Sequence, residues 1–139
     1  MYQVELNVVN NIKKEYDETL SLPADEFEIK RFSKVFCEVF NIDVPQAYLE
    51  FLRQCNGFEF NGCIIYSSQN LIENQLDYSF LTDDYIIFAE YDIAWFCIER
   101  SSGKCCELDK PSAQELCIFN TFEEMIKYVL RLSVKLWFV

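Results

Sequence analysis

The sequence predicts an α+β fold, with N-terminal helices and a C-terminal helix packed on one mainly antiparallel sheet of about 4–6 strands. Three observations predict it. Stripes of helical period crowd the N-terminal part of the chain and return at its C-terminal end. Between them lie short runs of β-branched and aromatic residues, separated by Asn-Gly, Gly and acidic turns. Hydrophobic residues make up 51% of the 139 positions, with 13 Phe and 8 Tyr, which is ample for a real core and too apolar for a disordered chain. The length suits a single domain over residues 1–139, and no internal repeat or linker divides it.

The elements follow in order. Val8, Val9, Ile12, Tyr16 and Leu20 fit a helix over about 3–19, which Leu22-Pro23 ends. Asp25, Glu26 and Glu28 gather where a helix start favours negative charge. Ile29, Phe32, Val35, Phe36, Val39 and Phe40 then mark a strongly amphipathic helix over about 24–40. Tyr48, Phe51, Leu52 and Cys55 form the stripe of a third, short helix, with Pro45 near its start and Asn56-Gly57 as its stop. Asn61-Gly62 predicts a turn, and Cys63-Ile64-Ile65-Tyr66 a strand after it. A short helix is expected around 69–76, followed by a loop from Asp77 to Asp84. Tyr85 to Ala89 and Ala94 to Ile98 read as strands buried on both faces, joined by the link Glu90-Tyr91-Asp92. Arg100 to Gly103 is a turn, Lys104 to Leu108 returns as the paired strand, and Leu116 to Phe119 is a last strand. Thr121 and Glu124 have capping-box spacing ahead of a closing helix carrying Phe122, Met125, Ile126, Val129, Leu130, Leu136 and Trp137.

Val44-Pro45, Tyr48, Phe51-Leu52 and Asn56-Gly57, followed by a strand, resemble the signature of the SUKH superfamily. That group includes the yeast Smi/Knr cell-wall-synthesis regulators and many bacterial toxin-immunity proteins. Val44 replaces the usual Leu, and the glycine-containing acidic segment before the middle hairpin appears only as Ala89-Glu90-Tyr91-Asp92. The resemblance covers about residues 26–132 and implies a Smi/Knr-like fold. Its residues are structural in kind, so it speaks to fold before activity.

Charge and composition narrow the function. Net charge is −11, which repels nucleic acid and anionic membranes. Between Arg53 and Arg100 there is no Lys or Arg, yet eight acids occur: Glu59, Glu73, Asp77, Asp83, Asp84, Glu90, Asp92 and Glu99. Residues 101–139 are balanced, with five acids and five bases. No apolar run is long enough to span a bilayer and no signal peptide is evident, so the chain reads as cytoplasmic. The seven cysteines mostly sit in apolar runs without C-x-x-C spacing and read as small buried hydrophobes.

Nothing points to catalysis. With no histidine the commonest general base and metal ligand is missing, and neither a glycine-rich phosphate loop nor a nucleophile elbow occurs. The carboxylate pairs Asp83-Asp84 and Glu90 with Asp92 read as solvated acids, and Cys97 near Glu99 as a buried strand thiol. Tyr78, Phe80, Tyr85 and Phe88 read as packing residues, because no cation accompanies them to meet phosphate. The expectation is a non-enzymatic protein-binding module with no cofactor and no metal. The resemblance sharpens this to an immunity protein that neutralises a toxin, such as a nuclease, by covering its basic surface. The expected partner-binding residues are Glu59, Asp83, Asp84, Glu90 and Asp92 as charges and Tyr85 and Tyr91 as aromatic contacts. The alternative is an intracellular regulatory scaffold of the Smi/Knr type.

Overall fold

The computed structural model describes residues 1–81 and 83–135. Leu136 and Trp137, assigned above to the closing helix, lie outside the described residues. Five helices and a six-stranded antiparallel sheet form the expected α+β architecture.

Helix α1 spans Gln3–Lys14 and stops earlier than its apolar stripe suggests. The chain turns there: the Glu18 N–H returns to the Lys13 carbonyl and Asp17 takes φ +57°. Helix α2, Glu26–Phe40, is capped at its start by Asp25, whose carboxylate accepts from the Glu28 N–H at 2.8 Å. It ends on Asn41 in the left-handed region. Helix α3, Gln46–Gln54, follows Pro45 and closes on the Cys55 N–H to Phe51 carbonyl bond.

The Asn-Gly after α3 does not end the helix in the expected way. Cys55 is already extended, and the positive φ falls on Gly57 alone, at +97°. A Cβ on Gly57 would stand 2.9 Å from the Cβ of Ser67, so two backbone segments meet there. Asn56 ties in two more. Its N–H donates to the Leu22 carbonyl, its Oδ1 accepts from the Ser68 N–H, and its Nδ2 reaches Ser68 Oγ. Ser68 Oγ in turn donates to Glu28 on α2 at 2.7 Å. The signature residues therefore act as a structural junction.

Strand β1, Phe58–Phe60, is hidden in the sequence because it has only three residues. It pairs with β2, Cys63–Ile65, through Asn61 and Gly62 at φ +50° and +82°. Two consecutive positive φ values give the turn whose twist suits a hairpin. Helix α4 is Leu71–Leu76. Strands β3 (Tyr85–Tyr91), β4 (Ala94–Glu99), β5 (Cys105–Asp109) and β6 (Glu115–Phe119) complete the sheet, and α5, Phe122–Ser133, closes the described chain. Thr121 caps α5 by accepting from the Glu124 N–H. Strand order in space equals strand order in sequence, β1 to β6.

Two corrections concern β3. Glu90 and Tyr91 belong to the strand, so the β3–β4 turn is only Asp92 and Ile93. The register slips between Ile87 and Ala89. This bulge lets Phe88 and Ala89 both face the helices, and it places Tyr85 and Glu90 on the same side of the sheet, where strict alternation would have separated them.

The helical face of the sheet carries an aromatic core around Tyr48. Its ring is 5.0 Å from Phe88, 5.8 Å from Phe32 and 5.9 Å from Phe122, mostly edge to face. The Tyr48 hydroxyl, though fully buried, donates to the Tyr66 carbonyl. Five cysteines are buried as expected; Cys37 and Cys117 are exposed.

Candidate functional site

The opposite, outer face of the sheet has a thinner cover. Pairing registers align Glu59, Ile64, Glu90, Trp95 and Leu108 across it in one row, and Ile87, Cys97, Cys106 and Ile118 in another. Beyond its short pairing with β2, β3 has a free edge, and α4 lies along it. The buried amide of Gln75 caps that edge as a strand would. Its Nε2 donates to the Ile87 carbonyl at 2.8 Å and its Oε1 accepts from the Ile87 N–H at 2.9 Å.

The segment after α4 then folds across the outer face. Tyr78 and Phe80 meet Trp95 edge-on at 5.3 and 5.6 Å. One carboxylate pins them. Glu90 accepts from the hydroxyls of Tyr66 and Tyr78 and from the ammonium of Lys110, which also sits over the Trp95 ring. Burial first, and then the bond to Glu90, hold the Tyr66 hydroxyl protonated far above the usual tyrosine range. Glu90 is thus committed inside the molecule.

The seven expected partner-binding residues do not form one patch. Asp83, Asp84 and Tyr85 lie at the start of β3, and Tyr91 and Asp92 at its other end, roughly 20 Å away along the strand. Tyr91 faces the helical side, in a cleft with Tyr128 and Leu132. Asp92 stands beside the Asn61-Gly62 turn. The structure instead brings Glu59 and Asp83 to the two flanks of α4. Glu59 lines a cleft of about 300 Å³ with Asn56, Asn70 and Asn74. Asp83 lines another of about 230 Å³ with Phe40, Leu76 and Arg100. Between them α4 and the residue after it add exposed Glu73 and Asp77.

Sequence reasoning missed the apolar part of this surface. Leu76 is 78% exposed and Phe80 64% exposed. Leu76 falls in the short helix expected around 69–76, and Phe80 reads as packing; the closure of Gln75 onto β3 turns Leu76 outward. The result is two exposed apolar side chains among exposed Glu73, Asp77, Asp83 and Asp84, with Glu59 across the neighbouring cleft. Among the described residues none of these five carboxylates, nor Asp92, forms an ion pair.

Cys97 is fully buried, and burial raises its thiol well above the usual range. Among the described residues no three Cys, Asp or Glu side chains gather as a metal site, and no helix is long and apolar enough to cross a membrane.

A meander of six strands with helices packed on one face defines an α+β domain. The chain belongs to the SMI1 / KNR4 family (SUKH-1), whose family model matches residues 23–128. The match takes in α2, α3, the Asn56-Gly57 junction and the whole sheet. Comparison with curated proteins finds no match. Members of the family are generally non-enzymatic, and membership is consistent with an immunity or regulatory module and with a protein partner.

Proposed function

We propose that this protein is an immunity protein: it binds a toxin domain, of the nuclease kind, and neutralises it by covering its basic surface. The partner sits on the α4 surface. Leu76 and Phe80 are its apolar anchors, Glu59, Glu73, Asp77, Asp83 and Asp84 its charged rim, and Tyr85 an aromatic contact at the edge. Glu90 serves from within by holding the Tyr78–Phe80 segment in place, while Asp92 and Tyr91 lie outside the contact. The observation that carries this reading is the exposure of Leu76 and Phe80 on the same segment as exposed Glu73, Asp77, Asp83 and Asp84, which have no ion-pair partner among the described residues. An apolar centre with a polar rim is the common anatomy of a protein interface.

Topology supports it as well. Because the strands lie in chain order, the cation-free stretch from Gln54 to Glu99 forms one contiguous part of the molecule, β1 to β4 with α4. A nuclease needs a cationic cleft for phosphate, so such a surface is complementary to it.

The test is surface-plasmon-resonance binding of the toxin domain encoded beside this gene, across a salt series. Binding should weaken steeply with salt, and Asp83→Asn with Asp84→Asn should slow association several-fold, about two- to fivefold for each exposed charge removed. Phe80→Ala should raise the dissociation rate about tenfold or more. Binding that ignores both salt and Phe80 would overturn the proposal.

A further inference from the structure

The sheet has two edges, and they are unlike. The β1 edge is three residues long and its middle carbonyl is already taken: Lys13 Nζ donates to the Glu59 carbonyl at 3.1 Å. Among the described residues no strand lies beyond β6, whose register with β5 slips at Leu116. Leu116 and Ile118 on it are 51% and 55% exposed, and Cys117 between them is exposed too. Backbone direction follows from the neighbouring bonds. The Glu99 N–H reaches the Lys104 carbonyl and the Asp109 N–H reaches the Gln114 carbonyl, so Cys105, Glu107 and Asp109 turn their peptide groups toward β6. Their partners Phe119 and Cys117 turn inward, and Ile118 turns its N–H and carbonyl outward. Among the described residues that carbonyl meets only the weak thiol donor of Cys117, at 3.7 Å.

Charge separates the edges further. Around β6 the ions cancel: Lys104 bonds Glu115 at 2.6 Å, and Lys127 bonds Glu123 on α5. A second chain of net charge −11 is repelled by the acidic β1–β4 part but meets a neutral, apolar strand here. Open apolar edges of this kind recruit another strand.

We propose that β6 pairs antiparallel with β6 of a second copy of this chain, about a two-fold axis at Ile118, so that two sheets join into one. This centre lets the outward N–H and carbonyl of Ile118 meet those of Ile118 of the second copy, away from the bulge at Leu116, and brings the two Cys117 residues within reach of a short crosslinker. The α4 surface stays free in both copies, so the pairing is independent of toxin binding. The interface is small, and the dimer forms at micromolar rather than nanomolar concentration, in the class of weak assemblies.

The experiment is sedimentation equilibrium over a concentration series, with crosslinking of the same samples by a short bis-maleimide. A reversible monomer–dimer equilibrium is expected. Ile118→Lys should weaken it at least about tenfold, because two lysines then face the joint. Phe27→Lys, at an exposed site on α2, should leave it unchanged. Dimer crosslinking should vanish in Cys117→Ser and persist in Cys37→Ser. Melting curves check that each variant folds. A monomer at every concentration, a dimer indifferent to Ile118→Lys, or crosslinking that depends on Cys37 would each overturn the proposal.

Discussion

The two faces of the sheet are held by different physics, and two carboxylates show it. Glu90, on the outer face, meets three donors, Tyr66, Tyr78 and Lys110. Glu107, on the helical face beside Tyr128 and Leu132, has no ion-pair partner among the described residues, and burial alone raises its pKa. The helical face is joined by interlocked rings, whose attraction is non-directional and distributed. The outer face is joined by one polar pin and two edge-on rings. Such a cover can loosen while the core stays intact. The proposed α4 surface, mounted on the loosely joined side, could then adapt to a partner without unfolding the domain.

The comparison can be broken most severely from the helical side. Tyr48→Ala should cost about 3–5 kcal/mol of global stability, as for large aromatic truncations in cores, and denaturant titration measures it. A smaller loss there would mean the rings do not bind the helices to the sheet. At the junction between the two sides, Gly57→Ala should cost about 1–3 kcal/mol, since φ is +97° and the new Cβ meets Ser67 at 2.9 Å. The midpoint should fall with an unchanged denaturant slope.

On the outer side, Glu90→Gln should cost only about 1–2 kcal/mol. Its signature is local: faster amide exchange at Tyr78–Leu81 and altered Trp95 fluorescence, with exchange in β4 and β5 unchanged. Loss of protection throughout the sheet would show that the pin supports the whole fold. The smallest effect belongs to Glu107→Gln. The folded pKa of Glu107 is raised, so it contributes stability below the unfolded pKa that is lost as pH rises through the folded one. Removing the charge should therefore raise the melting temperature slightly at pH 7 and leave it unchanged near pH 4.

Much of the fold was legible because it is written in local patterns. Asp25 and Thr121 mark their helix starts by short polar side chains, and Asn61-Gly62 marks a two-residue turn. What was hidden depends on partners distant in sequence. Phe58–Phe60 is a strand only because Cys63–Ile65 folds back on it. The bulge at Phe88 has no local signal, and it decides which side Glu90 occupies. The expected site suffers from the same blindness. Acid-rich composition singles out the stretch from Glu59 to Glu99, but neither the commitment of Glu90 to Tyr66 nor the outward turn of Leu76 is visible without the tertiary contacts.

Strand order that copies chain order has a kinetic consequence. Each strand can zip onto its predecessor as soon as both have left the ribosome, so most of the sheet needs only short-range closure, the condition for rapid assembly. Among the described residues, the two terminal helices meet where α5 docks on α1, with Arg131 reaching Glu5. Until that last described helix emerges, the parts of β2, β5 and β6 that it covers are bare, and a nascent chain stalled before residue 122 would be the species most in need of a chaperone.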